Sequence, residues 1–150
     1  MNATVTGLNS GEIVDYIVDT TNNIAVLSIE YSNINFTGIA DFTYYQSCRE
    51  PKTVRATTAE LYPSFIITTY FYDLENLSFE NSYSVANITE LPTIVLGPCV
   101  TNSKDPAIQT FYSGFLENTA AGVSEAFQTR SPTIQKYFIS KNICNYIKKD

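Results

Sequence analysis

The sequence contains no histidine and no tryptophan, and its 150 residues include only one methionine and three cysteines. The absence of histidine removes the commonest general base, the serine–histidine and cysteine–histidine nucleophile pairs, and imidazole metal sites. The cysteines, Cys48, Cys99 and Cys144, are widely spaced and form no C-x-x-C motif, so they indicate neither a zinc site nor a thioredoxin-type site. The sequence therefore predicts a protein without a metal ion or another cofactor.

Long apolar runs are missing as well. No run approaches the roughly 20 residues that a membrane-spanning helix needs, and the first residues show neither the basic nor the apolar part of a signal peptide. N-glycosylation motifs nevertheless favour a secreted or extracellular protein, and they begin at Asn2, Asn35, Asn76 and Asn87. Asn35, in the polar phase of a predicted strand, and Asn76, in a predicted turn, are the expected glycosylation sites. In a secreted chain we expect two cysteines to pair and one to stay free.

Charge is scarce and mostly negative. Charged residues make up 16% of the chain, and 15 acidic against nine basic residues give a net charge of −6. This balance argues against nucleic acid and anionic membranes as partners. Residues 1–48 contain no lysine or arginine, and their five charged residues are Glu12, Asp15, Asp19, Glu30 and Asp41. A solvated acidic face is the favoured interpretation.

Candidate catalytic groups are few. Two carboxylate pairs, Glu12 with Asp15 and Asp73 with Glu75, are the only acid–base option, and neither has a neighbour that would separate its two pKa values. There is no Gly-x-Ser-x-Gly elbow, and the six glycines never cluster into a phosphate-binding loop. We therefore predict that the protein is not an enzyme.

Alternating apolar and polar residues predict strands over most of residues 1–98. The clearest alternation runs from Ile34 to Tyr45 and predicts one packed and one wet face, as in an antiparallel sheet. Ser32–Asn33 is interpreted as a tight connection to the preceding strand, and Gln46–Pro63 as a long loop with at most one edge strand. The other predicted strands are Asn2–Gly7, Glu12–Val18, Ile24–Tyr31, Phe65–Asp73, Leu77–Ala86 and Leu91–Leu96. Val14, Tyr16 and Val18 share one phase of their strand, and inward positions are assigned to Leu77, Phe79, Tyr83 and Val85 in another.

From Asp105 onward the apolar period changes to that of a helix. Asp105 suits the N-cap and Pro106 the first helical position. The apolar face consists of Ile108, Phe111, Tyr112, Phe115, Leu116, Ala120, Val123 and Phe127. The helix is expected to continue to Arg130, with a kink near Gly114 as an alternative, and to end at Ser131–Pro132. A weaker second stripe comprises Ile134, Tyr137, Phe138, Tyr146 and Ile147.

These patterns predict one α+β domain over residues 1–150. Residues 1–98 would form mainly strands and residues 105–150 would be helical. We expect a curved antiparallel sheet of about five to six strands, packed against a long C-terminal amphipathic helix.

Several short segments resemble the arthropod tubular lipid-binding proteins, which include the takeout and juvenile-hormone-binding family and the group 7 mite allergens. These segments are Thr4–Leu8, Val14–Val18, the pair Ile24–Tyr31 and Ile34–Tyr45 with Gly38, and Asp105–Ile108. The resemblance implies a curved sheet that wraps a long helix around an apolar tunnel. The chain departs from that family because it has neither the initial amphipathic helix nor the paired cysteine near the N-terminus.

The leading functional prediction is non-enzymatic binding or transport of an apolar small molecule or lipid between sheet and helix. The predicted lining residues are aromatic or apolar and are Phe36, Phe42, Phe71, Tyr83, Phe111, Phe115 and Val123. The alternative is a β-rich structural or protein-interaction module with a solid core, which would have a protein partner or self-associate.

Overall fold

The computed structural model describes residues 2–45 and 47–143. It confirms the predicted α+β class, because one antiparallel sheet of six strands packs against C-terminal helices. The strands are β1 (Asn2–Thr6), β2 (Glu12–Asp19), β3 (Ile24–Tyr44), β4 (Lys52–Tyr72), β5 (Ser82–Ile88) and β6 (Thr93–Leu96). The helices are α1 (Pro98–Thr101), α2 (Pro106–Glu117) and α3 (Thr119–Phe138), and a π-helical turn follows at Ile139–Ile143.

The sheet is built around one long antiparallel ribbon, β3 with β4. Each strand has 21 residues, and they pair in a single register from Ile24 opposite Tyr72 to Tyr44 opposite Lys52. The predicted loop at Gln46–Pro63 is therefore wrong. Thr53, Arg55 and Thr57 form the solvent-facing phase of a strand, and threonine suits strands because its β-branched side chain packs well on a pleated surface.

 The ribbon is interrupted at Asn33, which has a positive φ of 55°. Asn23, in the turn before β3, adopts the same left-handed conformation, with a φ of 58°. Pro63 lies opposite Asn33 and has no N–H to donate, so no pair forms at this point of the ladder. The core-facing phase of both strands changes here, and Tyr31 and Ile34 are both buried, as are Phe65 and Tyr62 opposite them. The predicted tight connection at Ser32–Asn33 is thus a kink inside one continuous strand.

The kink divides the sheet into two four-stranded halves. We call the part formed by β2, residues 24–31 and 65–72 of the ribbon, and β5 the first half-sheet. The part formed by β1, residues 34–44 and 52–62 of the ribbon, and β6 is the second half-sheet. The inner face is the side of the sheet that the helices cover, and the outer face is the opposite side.

The helical segment differs from the predicted single helix. Asp105 caps α2, as expected, because its carboxylate accepts a hydrogen bond from the N–H of Ala107 at 2.9 Å. The chain then breaks at Asn118 rather than near Gly114. The predicted end at Ser131–Pro132 is also wrong, because α3 continues through Pro132 to Phe138. Pro132 lies on the exposed side of the helix, so a backbone carbonyl left without its helical partner has access to water.

An aromatic core lies between the inner face and α3. The ring of Phe127 packs against Phe65, Tyr62 and Phe36 at centroid distances of 4.8, 5.2 and 6.3 Å. Further along the helix, Phe138 makes an edge contact with the fully buried Tyr31. The Tyr31 hydroxyl donates to Gln135 Oε1 at 2.8 Å, and Gln135 Nε2 donates to the carbonyl of Ile67 at 3.2 Å. The interior at this level is filled with side chains.

One predicted strand phase is wrong, and another is wrong at one residue. In β2, Tyr16 and Val18 share one phase as predicted and pair with core-facing residues of β3, but a bulge at Val14 puts Ile13 in that phase instead of Val14. In β5, the inward residues include Ser84, which bonds Thr69 at 2.8 Å, whereas Tyr83 and Val85 lie on the outer face. Leu77 precedes β5 and is exposed, while Phe79 packs against Phe71 at 5.5 Å. The predicted positions Cys144, Tyr146 and Ile147 lie outside the described residues.

Candidate functional site

A cleft of about 440 Å³ lies between the second half-sheet and the junction of α2 with α3. We call it the first cleft. Apolar side chains form most of its wall, and Glu60, Tyr62 and Arg130 supply polar groups at one side. Gly122 also lines it, and a Cβ atom added at Gly122 would meet no atom within 4 Å. The volume is within the range of small-molecule sites.

The structure brings four of the seven predicted ligand-binding residues together in this cleft. They are Phe36, Phe42, Phe115 and Val123. Phe71 and Phe111 do not line it. Phe71 packs beside the core of the first half-sheet, and Phe111 stacks near Phe42 and Tyr44 at centroid distances of 5.4 and 6.3 Å.

Tyr83 does not line the first cleft, because it lies on the outer face, so its predicted position with the others is wrong. At the edge formed by β5 it borders a different cleft. This second cleft has a volume of about 500 Å³ and lies between β5 and the other flank of α3. Val123 contributes to both clefts, and Phe127 lines only the second. The N-terminal half of α3 thus rests on the sheet through few large side chains, with a cleft on each flank.

A half-buried ion pair closes one side of the first cleft. Arg130 contacts Glu60 through two nitrogen–oxygen pairs at 2.6 and 3.0 Å, and the Tyr62 hydroxyl donates to the same carboxylate at 2.8 Å. The guanidinium carbon lies 4.7 Å from the centre of the Phe36 ring, a distance suited to a cation–π contact. Two-point geometry of this kind fixes the arginine more firmly than a single contact would.

Electrostatics in this cluster favour the ionised pair. Burial acts to raise the pKa of Glu60, but the hydrogen bonds from Arg130 and Tyr62 and the charge of Arg130 outweigh it, so the pKa is lowered overall. The pKa of Tyr62 is raised, chiefly by burial and also by the charge of Glu60. Because each charge is already matched inside the protein, the cluster presents no free charge to a ligand.

Sequence reasoning missed this cluster because Glu60 and Tyr62 fell in the region interpreted as a loop. Their spacing of two would have placed them on one face of a strand. Arg130 was assigned only to the end of a helix. No local signal connects it with residues 70 positions earlier.

The outer face of the first half-sheet is unexpectedly apolar. One row crosses all four strands, because Ile17 lies opposite Val26, Val26 opposite Tyr70, and Tyr70 opposite Tyr83. Ile17 and Tyr83 are 50% and 60% exposed. We call the surface formed by the following residues the apolar outer patch: Ile17, Ile24, Val26, Ile66, Tyr70, Tyr72, Tyr83 and Val85. By contrast, the outer face of the second half-sheet carries the Asp41–Arg55 ion pair and a threonine pair.

The predicted glycosylation sites differ in exposure. Asn76 is exposed in a short 3-10 turn, Leu74–Asn76. Asn35 is half-buried within β3, where it has Thr6 of β1 on one side and Leu61 of β4 on the other. Cys48 and Cys99 are exposed, and neither forms a disulfide within the described residues.

Over residues 2–45 and 47–143, no group of three or more cysteine, aspartate or glutamate side chains is arranged to hold a metal ion. None of the helices in these ranges combines the length and apolarity needed to cross a membrane.

Comparison with known proteins finds a distant likeness. No protein-family model matches the sequence. The chain is 24% identical over 122 residues to Fibrohexamerin from Galleria mellonella, an alignment that covers 81% of this chain and 54% of that protein. The chain therefore spans about half the length of this relative.

Proposed function

We propose that this chain is a non-enzymatic structural module of a secreted protein, and that it assembles with further copies through the apolar outer patch. The observation that carries this proposal is the row of apolar side chains, Ile17 to Tyr83, that crosses the first half-sheet on the side away from the helices. The filled aromatic core behind the patch supports the same function, because a rigid sheet presents a fixed surface.

The extent of the patch is compatible with an interface. The outer face of the first half-sheet has four strands about 4.8 Å apart and seven residues of about 3.3 Å rise, so its projected area is on the order of 400 Å², including polar residues such as Ser28 and Thr68. The largest apolar patch on a typical monomer measures about 300–600 Å² and is often a functional surface, and this patch is of that order. Tyrosine is also enriched at protein interfaces, and three tyrosines lie in this patch. The name of the relative, Fibrohexamerin, refers to a hexamer, which agrees with an assembling protein.

Sedimentation velocity over a range of protein concentrations tests this proposal. We expect the wild type to form a discrete oligomer, and the double substitution Tyr72→Thr with Val85→Thr to shift the protein towards monomer. Both residues are exposed and lie on the outer face, so threonine keeps the strands while removing apolar surface.

The matched control is Ile39→Thr with Val95→Thr, which removes two exposed apolar residues from the outer face of the second half-sheet. Its oligomer should remain. A wild type that stays monomeric at the highest concentration, or equal loss of assembly in both double variants, would refute assembly through this patch.

A second candidate function, binding of an apolar small molecule or lipid, is favoured by the first cleft. The four predicted residues that line it and the volume of about 440 Å³ support this candidate. Gly122 lines the cleft and Gly114 does not, and a Cβ atom added at either position meets no atom within 4 Å, so Gly122→Leu adds a side chain at the cleft and Gly114→Leu adds the same side chain away from it. If the cleft binds apolar molecules, an apolar fluorescent probe should bind the wild type and Gly114→Leu saturably and Gly122→Leu more weakly. Equal binding to all three proteins would rule the cleft out.

A further inference from the structure

β2 is the outermost strand of the first half-sheet and has an open edge. It pairs with β3 on one side, and no other strand within residues 2–45 and 47–143 pairs with it. Seven of its eight residues are exposed. The backbone N–H and C=O groups on its open edge are therefore available for hydrogen bonds to another strand.

The two faces of β2 differ in chemistry. Its inner-face residues lie opposite buried residues of β3, yet they are large, apolar and exposed: Ile13, Tyr16 and Val18. Its outer-face residues lie opposite Glu30, Ser28, Val26 and Ile24, and three of the four are carboxylates: Glu12, Asp15, Ile17 and Asp19. Side chains of a strand alternate between faces, so a strand added to this edge would meet apolar groups on one side and acids on the other.

The acids are mostly unmatched. Glu12 and Asp15 form no ion pair with any residue in the described ranges, and no lysine or arginine occurs among residues 1–48. Asp19 is engaged in its own turn, where it accepts hydrogen bonds from the N–H groups of Thr21 and Asn22 at 2.9 and 3.0 Å. The open edge thus carries uncompensated negative charge next to exposed apolar side chains.

A second copy of β2 fits this edge poorly. Antiparallel pairing in full overlap would place Glu12 opposite Asp19 of the copy at both ends, and the carboxylates of both strands would share one face. Like charges directly opposite each other destabilise a sheet. A basic strand would instead have charge complementary to this edge.

We propose that β2 accepts an extended segment of another protein as an added strand, and that lysine or arginine alternates with large apolar residues in that segment. Its backbone bonds to the open edge of β2, its apolar side chains lie beside Ile13, Tyr16 and Val18, and its basic side chains lie beside Glu12 and Asp15. This mode of recognition combines main-chain hydrogen bonds with side-chain pairs at a period of two. The inference rests on the proposed function in so far as the chain acts through protein contacts, but it uses the strand edge and not the apolar outer patch.

Calorimetric titration with synthetic peptides tests the inference. The probe is an eight-residue peptide in which lysine alternates with valine. One control has the same composition with the lysines and valines in separate blocks, and another carries N-methyl groups on its backbone. We expect the alternating peptide to bind and both controls to bind at least tenfold more weakly, because one loses the period and the other loses the hydrogen bonds.

Protein variants separate local pairing from net charge. Glu12→Gln with Asp15→Asn should weaken peptide binding on the order of fivefold, as expected for two exposed ion pairs. The matched control, Glu90→Gln with Glu117→Gln, removes two exposed acids, one that follows β5 at the opposite edge of the sheet and one that ends α2, and it should leave the affinity unchanged. Amide hydrogen exchange within residues 12–19 should slow when the peptide is bound.

The outcomes are distinct. Equal binding of the alternating and block peptides, no slowing of exchange in β2, or equal weakening by both pairs of substitutions overturns the inference. Assembly without peptide binding would refute only the added strand and leave the proposed function intact. Peptide binding by a protein that remains monomeric would refute assembly through the apolar outer patch and leave the added strand intact.

Discussion

Truncation of two phenylalanines on the helices distinguishes a filled core from a cleft wall. Phe127 is 2% exposed and contacts the rings of Phe36, Tyr62 and Phe65. Phe127→Ala would leave a cavity surrounded by rigid rings, and such changes cost about 3–5 kcal/mol. Phe115 is half-buried and lines the first cleft, so its substitution by alanine removes fewer packed atoms and should cost about 1–2 kcal/mol.

Both residues are helical, so the gain in helix propensity from alanine is the same in the two variants and does not affect their comparison. For a chain of this length, 1 kcal/mol corresponds to about 2–4 °C in melting temperature. We therefore expect Phe127→Ala to lower the melting temperature by about 6–20 °C and Phe115→Ala by about 2–8 °C.

Urea denaturation followed by circular dichroism measures the free energy of unfolding of both alanine variants, and a thermal scan measures their melting temperatures. Phe127→Leu is a control that retains most of the side-chain volume. The reasoning would be refuted if the two alanine variants lost the same free energy of unfolding, because Phe115 would then lie in a filled core. It would also be refuted if Phe127→Ala cost less than Phe115→Ala.

Four further outcomes follow from the buried polar groups and the exposed turn. Tyr31→Phe should cost about 1–3 kcal/mol in a denaturant titration, because it leaves the buried Gln135 oxygen without its donor. In an alkaline absorbance titration, Tyr31 and Tyr62 should ionise last, because burial raises their pKa values. The stability that these two tyrosines contribute should be fully present below the ordinary tyrosine pKa of about 10 and should decline as pH rises above it, because the unfolded chain then loses these protons first. The pKa of Glu60 is lowered in the folded state, so its contribution is present above the ordinary carboxyl pKa of about 4.3 and is lost as pH falls further, and Glu60→Gln should flatten the decrease in melting temperature on acidification. Secretion from a eukaryotic host should add a glycan at Asn76 that Asn76→Gln removes, and an unmodified wild type by mass spectrometry would contradict the secreted interpretation.

The sequence was sufficient to predict the fold class because its strongest signals are local. The alternation in Ile34–Tyr45 and the 3.6-residue period after Asp105 each report one packed face. The strand face is packed as predicted, and so is the helical face except at Leu116 and Ala120, which are exposed near the break at Asn118. Pairing partners were harder to predict. The region before Pro63 alternates weakly, because its inward positions include the small Ala56 and the polar Thr58 and Glu60, while Ala59 and Leu61 lie on the outer face.

Each error in phase has a physical cause. Apolar residues on a strand predict the inner face only when the outer face is polar. Tyr83 and Val85 lie instead on the apolar outer patch, and nothing local distinguishes the two faces. Within β2 the cause is the bulge at Val14, since one extra residue puts Ile13 rather than Val14 on the face of Tyr16 and Val18. The first cleft was partly predictable from its aromatic residues, whereas the ion pair between Glu60 and Arg130 depends on how the helix returns across the sheet.

The β3–β4 ribbon has a consequence for the order in which the chain closes its sheet. Tyr44 and Lys52 are eight positions apart, whereas Ile24 and Tyr72 at the other end of the ribbon are 48 positions apart. Closing the short loop costs less chain entropy than closing the long one directly. Pairing that begins at residues 44 and 52 can add one residue pair at a time until it reaches Asn33 and Pro63, where the missing pair interrupts its progress. The kink therefore separates an early part of the ribbon from a later one, and β2 and β5 obtain their complete pairing surface only after pairing has passed it.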